Sequence, residues 1–170
     1  NDEKYTPILR IYGPTREQVE EQLGKNRVIL EKLNTNIEFY GRIPQSQVAC
    51  AVQNGDYSLI IRPVRESSNA GFPTKLAESM AVGTPVFANL TGDIGLYVKD
   101  GVNGLIANSD SKADIITTLR KALRINKCEL EKMRIMARQT AIGYFDYRSY
   151  GSKLGQFISD IKEGGKDSGI

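Results

Sequence analysis

The apolar pattern of this chain switches repeatedly between strand-like and helical spacing, and that switching narrows the folds open to it. Residues 7–12 (PILRIY) form a short β-rich run closed by Gly13-Pro14. Thr15-Arg16-Glu17-Gln18 then has capping-box spacing, in which the Thr hydroxyl and the Gln side chain satisfy free main-chain amides reciprocally. Helical spacing of Val19/Leu23 and Leu30/Leu33 continues to Leu33, with a break expected at Gly24. Residues 37–41 read as a second strand, 46–54 as a short helix and 57–61 as a third strand. A loop over 62–72 leads to Pro73-Thr74, a suitable helix start, and that helix is expected to run to Val82 and stop at Gly83. Residues 85–88 and 105–107 are the fourth and fifth strands. From Ser111 the pattern is helical to about Lys162, with breaks near Asn126 and Tyr144.

Alternating strands and helices imply right-handed β-α-β units, hence an α/β class, with a Rossmann-like open parallel sheet carrying helices on both faces. The 170 residues suit one domain, at roughly 150 residues each. We expect that domain over 1–163 and a flexible tail over 164–170. Ligands of such sheets bind beyond the carboxyl ends of the strands, so the loops after Ile11, Tyr40, Ile61 and Ala88 are the ones to read for chemistry.

Composition removes several chemistries. The chain has no histidine, which excludes Ser-His and Cys-His nucleophile pairs and any His-ligated metal within it. Nothing in the sequence calls for a metal. Cys50 and Cys128 are too few for a disulfide framework and read as buried or half-buried thiols of a reducing compartment. No run is long enough to span a bilayer, and the polar start Asn1-Asp2-Glu3-Lys4 has no signal-peptide core, so a cytoplasmic location is expected. The missing initiator Met suggests an excised segment. Net charge is +3, yet residues 111–150 alone carry nine Lys/Arg against four Asp/Glu. That bias reads either as a solvated helix face or as attraction to an anionic acceptor or to the inner face of a membrane. Without interleaved aromatics it is no nucleic-acid footprint.

The first loop, Tyr12-Gly13-Pro14-Thr15, lacks the three glycines of a dinucleotide site, and no P-loop signature occurs. The loop after the third strand is richer: Arg62, Arg65, Asn69, Gly71, Phe72 and Pro73 precede a helix that opens with Thr74, Lys75 and Leu76. Free amides at a helix start form a ready anion site. Lys75 opposes the helix dipole there, which a bound phosphate would offset. Glu78 lies about one turn further on, placed to accept hydrogen bonds from vicinal sugar hydroxyls. Alternatively, Lys75 and Glu78 form an i,i+3 surface pair.

The stretch Gly71-Phe72-Pro73 through Glu78, Ser79-Met80-Ala81-Val82-Gly83-Thr84-Pro85-Val86, followed by Asp100-Gly101-Val102-Asn103-Gly104-Leu105, resembles the donor-binding, C-terminal half of a GT-B glycosyltransferase. It is most similar to the retaining family 4 of bacterial polysaccharide, capsule and lipopolysaccharide synthesis. The resemblance extends from about Ile8 to about Tyr150. It implies that Glu78, matching the second glutamate of the family's E-x7-E motif, binds the ribose. It also implies that the amides of Thr74, Lys75 and Leu76 meet the diphosphate and sugar, and that main-chain groups near Arg42 and Ile43 hold the base. The expected substrate is a nucleotide-diphospho-sugar such as a UDP- or GDP-sugar, with no cofactor.

The sequence departs from that pattern in places. Ala70 stands where the first glutamate belongs, and neighbouring Asn69 offers a neutral substitute toward the sugar. A variant arrangement of the family, Arg…Asn…Phe-Pro-Thr-Lys…Glu, would make Arg62, or less favourably Arg65, a phosphate ligand beside Lys75. Leu96 replaces a common Glu. The family's first strand with its Lys-Gly turn is missing, as is the N-terminal acceptor-binding domain that the resemblance implies as a partner. Tyr144, Phe145, Tyr147 and Tyr150 read as packing residues, Met80 and Met133 as core, and Gly101 and Gly104 as turn residues.

The expectation is therefore a retaining hexosyltransferase, inactive as this fragment, with Lys75, Arg62 and Asn69 as its catalytic contributors. A catalytically silent nucleotide-sugar-binding or scaffold domain is the alternative. A GT-B epimerase or phosphorylase is a third option. The phosphorylases' pyridoxal-binding lysine motif is absent here, and the epimerases rely on features outside this segment.

Overall fold

The structure is a computed structural model that describes residues 6–33 and 35–164. Among these described residues five short strands, β1 (Leu9–Tyr12), β2 (Ile37–Gly41), β3 (Ser58–Ile60), β4 (Val86–Asn89) and β5 (Gly104–Ala107), alternate with helices. Those are α1 (Arg16–Leu23), α2 (Val28–Lys32), α3 (Gln45–Gln53), α4 (Glu66–Asn69), α5 (Thr74–Ala81), α6 (Ile94–Tyr97), α7 (Lys112–Ala122), α8 (Lys127–Tyr144) and α9 (Gly151–Gly164). Every strand pair is parallel, as β-α-β connections require. The tail expected over 164–170 lies, past Gly164, outside the described residues.

Local sequence accounts for most boundaries. The capping box at Thr15 forms with Gln18, and an equivalent one joins Asn126 to Glu129 where α8 begins. The break foreseen at Gly24 is a 3-10 turn over Gly24–Arg27 that separates α1 from α2. Two one-turn helices, α4 and α6, sit where only loops were expected.

Among the described residues the single expected sheet is present as two, β1-β2 and β3-β4-β5, with no ladder between β1 and β3. A side chain provides a link instead: Arg10 Nη1 donates to Asn54 O, in the turn that leads into β3, at 3.3 Å. Packing is uneven between the sheets. The core is built on β3-β4-β5 from Ile60, Val86 and Ala88, covered by Leu76 and Met80 of α5, Ile94 of α6, and Ala137 and Ala141 of α8. Fully burying Leu76 and Met80 stabilises the fold by about 1.5–3 kcal/mol each. The β1-β2 half buries only Leu30 among its described apolar residues.

Asn103-Gly104 is more than a turn. The Asn103 side chain accepts from Lys99 N at 2.7 Å and donates to Tyr97 O at 2.9 Å. Gly104 passes so close to β4 that a Cβ there would lie 2.7 Å from Val86 O, so only glycine fits. Met80 and Met133 are buried as expected. The cysteines are not: Cys50 and Cys128 are both exposed, because each sits on the outward face of its helix. Of the aromatics, Phe145 packs against the core with Phe72 and Tyr97, whereas Tyr144 and Tyr147 are exposed.

Basic residues of the 111–150 segment are partly occupied within the fold. Arg134 donates to Gln53 O and Gly55 O, and Arg138 to Ala81 O, so α8 ties down the ends of α3 and α5. Lys121 pairs with Asp100, and Arg148 with Asp146. Among the described residues no helix is long and apolar enough to cross a membrane.

Candidate functional site

The carboxyl ends of β3 and β4 carry the segment that the sequence singled out. Past Ile60 the chain leaves the ladder, and side chains take over its main-chain groups. Asn89, the last residue of β4 and fully buried, accepts from Arg62 N at 2.9 Å and donates to Arg62 O at 2.8 Å. Asp110 Oδ2 then accepts from Val64 N at 3.1 Å. The segment turns through α4, where the main-chain carbonyl of Arg65 receives Ser68 N and Asn69 N.

A second clamp joins this segment to the loop after β4. Asn69 Oδ1 accepts from Gly92 N at 3.1 Å. Gly92 has φ +54° and nests against the carbonyls of Gly71, Asn69 and Ser68, the nearest 3.1 Å from where a Cβ would stand. No L side chain adopts that conformation in that space without displacing the neighbouring loop. Phe72, still exposed on one side, packs against Tyr97 and Phe145, with ring centroids at 5.7 and 5.4 Å. Pro73 is buried and precedes α5 in extended conformation.

These contacts leave the start of α5 open. Pro73 offers no side-chain cap. Leu76, expected to lend its amide to a ligand, is corrected here: its N–H donates to Pro73 O at 2.8 Å and its side chain is fully buried. Among the described residues, the amides of Thr74 and Lys75 make no such bond. Among the described residues, the Lys75 ammonium and the Glu78 carboxylate form no ion pair, so the i,i+3 surface pair is not formed. Arg62 Nη1 reaches Gly71 O at 3.3 Å, which brings a guanidinium to the approach of the same helix.

The structure thus gathers Arg62, Asn69, Gly71, Phe72, Pro73, Thr74 and Lys75 at one sheet end, with Glu78 one turn along α5. Arg65 is exposed at the start of α4, and Ala70 ends that helix. Arg42 and Ile43 follow β2 and its positive-φ Gly41, at the carboxyl end of the other sheet. No hydrogen bond or ion pair connects them to the α5 site among the described residues. Sequence reading missed Asn89 and Asp110. Their role depends on which strand lies beside which, a non-local fact that neither residue type nor spacing signals. A glutamate and a lysine without ion pairs and helix amides without acceptors, all among the described residues, together with a guanidinium suit a ligand with both phosphates and hydroxyls.

Residues 1–141 match the family described as glycosyl transferases group 1. An uncharacterised glycosyltransferase of Methanocaldococcus jannaschii is 28% identical over 120 residues, which covers 71% of this chain and 30% of that protein. Among solved structures, the sucrose-phosphate synthase of Thermosynechococcus elongatus superposes with TM-score 0.69 at 16% identity, covering 94% of this chain and 39% of its own. A glycosyltransferase of Rickettsia africae gives TM-score 0.70 at 14% identity, with 91% and 40% covered. An Anabaena protein solved with UDP-glucose gives TM-score 0.66 at 16% identity, covering 90% of this chain and 41% of its own. The α/β architecture with parallel sheets is therefore that of GT-B glycosyltransferases, and the chain spans well under half the length of these relatives. With its family pattern matched over most of its length, the chain belongs to the glycosyl transferases group 1 family.

Proposed function

We propose that this chain is the C-terminal, donor-binding half of a retaining hexosyltransferase of family 4 type, and that it takes a nucleotide-diphospho-sugar at the start of α5. One observation carries the reading: an uncapped helix start whose Thr74 and Lys75 amides are open among the described residues, with the Lys75 ammonium, which makes no ion pair among them, and the Arg62 guanidinium beside it. The leaving diphosphate is held by Lys75, Arg62 and those amides, which is the largest contribution such a half can make to the transition state. Glu78 accepts from the ribose hydroxyls. Asn69, whose Oδ1 is occupied by Gly92 N, turns its Nδ2 donor toward the sugar. Gly71, Phe72 and Pro73 shape the approach, Arg65 is a further cation at its rim, and the main chain at Arg42 and Ile43 contacts the base. In the reaction the bond from the sugar's anomeric carbon to the diphosphate breaks, the acceptor oxygen bonds to that carbon on the same face, and the acceptor hydroxyl's proton passes to the leaving diphosphate.

The Anabaena structures with UDP and UDP-glucose support a uridine nucleotide as the first donor to try. The acceptor-binding half, a glycan or lipid-linked acceptor of polysaccharide, capsule or lipopolysaccharide synthesis, and a cytoplasmic site beside an anionic membrane belong to the same reading. Calorimetry with UDP and with GDP tests it. One of them binds the parent, and Lys75→Ala weakens it at least tenfold; a Lys75→Ala protein that binds as the parent does removes the phosphate assignment. Ala70, in the place of a glutamate, favours a second reading, a silent nucleotide-sugar-binding domain. Transferase assays of the full-length protein separate the two.

A further inference from the structure

Asn89 is fully buried at the end of β4, and its carboxamide meets both main-chain groups of a single residue, Arg62. The β3-β4 ladder ends at Ile60↔Ala88. A side-chain amide carries the donor and acceptor of a peptide group, so Asn89 adds one more rung after the backbone has diverged. Asp110 repeats the device two residues on, at Val64 N. Between these anchors, the Cα of Arg62 and the direction of its side chain are fixed, and only the side-chain rotors remain to be set. The guanidinium then lies within reach of Gly71 O, at the approach to α5.

We propose that Asn89 is the positioning residue of the diphosphate site: by closing both main-chain groups of Arg62 it aims the guanidinium at the start of α5. The assignment rests on the donor-site reading given above. A cation displaced by about 1 Å from a phosphate loses much of its effect, so holding the Arg62 backbone matters as much as having the arginine. Asparagine is required by the chemistry of the contact. An apolar residue of similar size would leave Arg62 N and O both unpaired. Aspartate would still accept from Arg62 N, but its second oxygen would face the Arg62 carbonyl. Once protonated, that carboxyl has an O–H to donate and again resembles the amide. Burial favours the protonated form, so the aspartate variant should be rescued by acid.

The test uses the full-length protein, with UDP and GDP as calorimetric probes and the parent measured at every pH as reference. Asn89→Asp is expected to weaken the nucleotide that binds by about tenfold near pH 8 and to approach the parent near pH 5. Asn89→Ser, which cannot bridge both groups and buries no charge, should show a similar loss without acid rescue. In the Arg62→Ala background, Asn89→Asp should cause no further loss. Asn89→Asp binding as the parent does at every pH overturns the proposal, as does a loss that adds fully to that of Arg62→Ala. If the parent binds neither UDP nor GDP, it is the donor-site reading that falls, and the role given to Asn89 falls with it.

Discussion

Asn103 Nδ2 donates to Thr140 Oγ1 at 2.8 Å, joining the turn before β5 to α8 across 37 positions of sequence. The same side chain serves Lys99 N and Tyr97 O, and the residue is 3% exposed. Asn103→Ala takes the side-chain partner from Lys99 N and Tyr97 O, while Thr140 Oγ1 keeps its bond to Met136 O, at a cost of about 2–4 kcal/mol read from urea unfolding. Thr140→Val removes one partner and costs about 1 kcal/mol.

Gly92 transmits strain to the site if it gains a side chain. Gly92→Ala places a methyl 3.1 Å from Gly71 O at φ +54° and pushes the two loops apart. Nucleotide affinity measured by calorimetry should fall several-fold. The loss of stability should stay near 1–2 kcal/mol, because the strain is confined to a surface junction.

Glu78 can be assigned by the ligand rather than by the protein alone. The parent should bind UDP more tightly than 2′-deoxy-UDP, because a carboxylate accepts strongly from vicinal hydroxyls. Glu78→Gln should weaken UDP by about tenfold and nearly erase that preference. Equal affinities for the two nucleotides in the parent would assign Glu78 elsewhere.

The Tyr57 hydroxyl is buried without a partner among the described residues, and burial pushes its pKa up to about 12. The raised value favours the folded state fully below the ordinary tyrosine value of 10.0, and that contribution is lost as pH rises toward about 12. Tyr57→Phe removes the unpaired donor, so it should be neutral or stabilising by up to about 1 kcal/mol at pH 7. Its stability should also decline less steeply than the parent's in alkali. Chemical unfolding across that range reads both effects.

Much of the fold was legible because its signals are local. The run Ile37–Gly41 is a strand with the expected ends, and Gly83, with φ +75°, follows the end of α5. The Thr15 and Gln18 pair sets the start of α1 in the sequence and in the structure alike. Helices α4 and α6 were not legible, since four residues are too few to display a helical period. Nor was the division into two sheets, because ladder partners are chosen over distances that no window of sequence spans. The site divides the same way. Lys75, Glu78 and Arg62 follow from residue type beside a helix start, whereas the burial of the Leu76 amide's owner and the grip of Asn89 are tertiary facts.

Arg138 lies 57 positions from Ala81, yet its guanidinium donates to the Ala81 carbonyl at the far end of α5. A helix of eight residues is only about 12 Å long, so both of its poles act on anything bound at either end. In an isolated helix the negative pole partly cancels the pull of the positive one on an anion. Here a cation from α8 covers that negative pole, and the field that remains at Thr74 is closer to that of a lone positive end. The strength of the proposed anion site would thus be set in part from its rear, by a side chain that no bound ligand would touch.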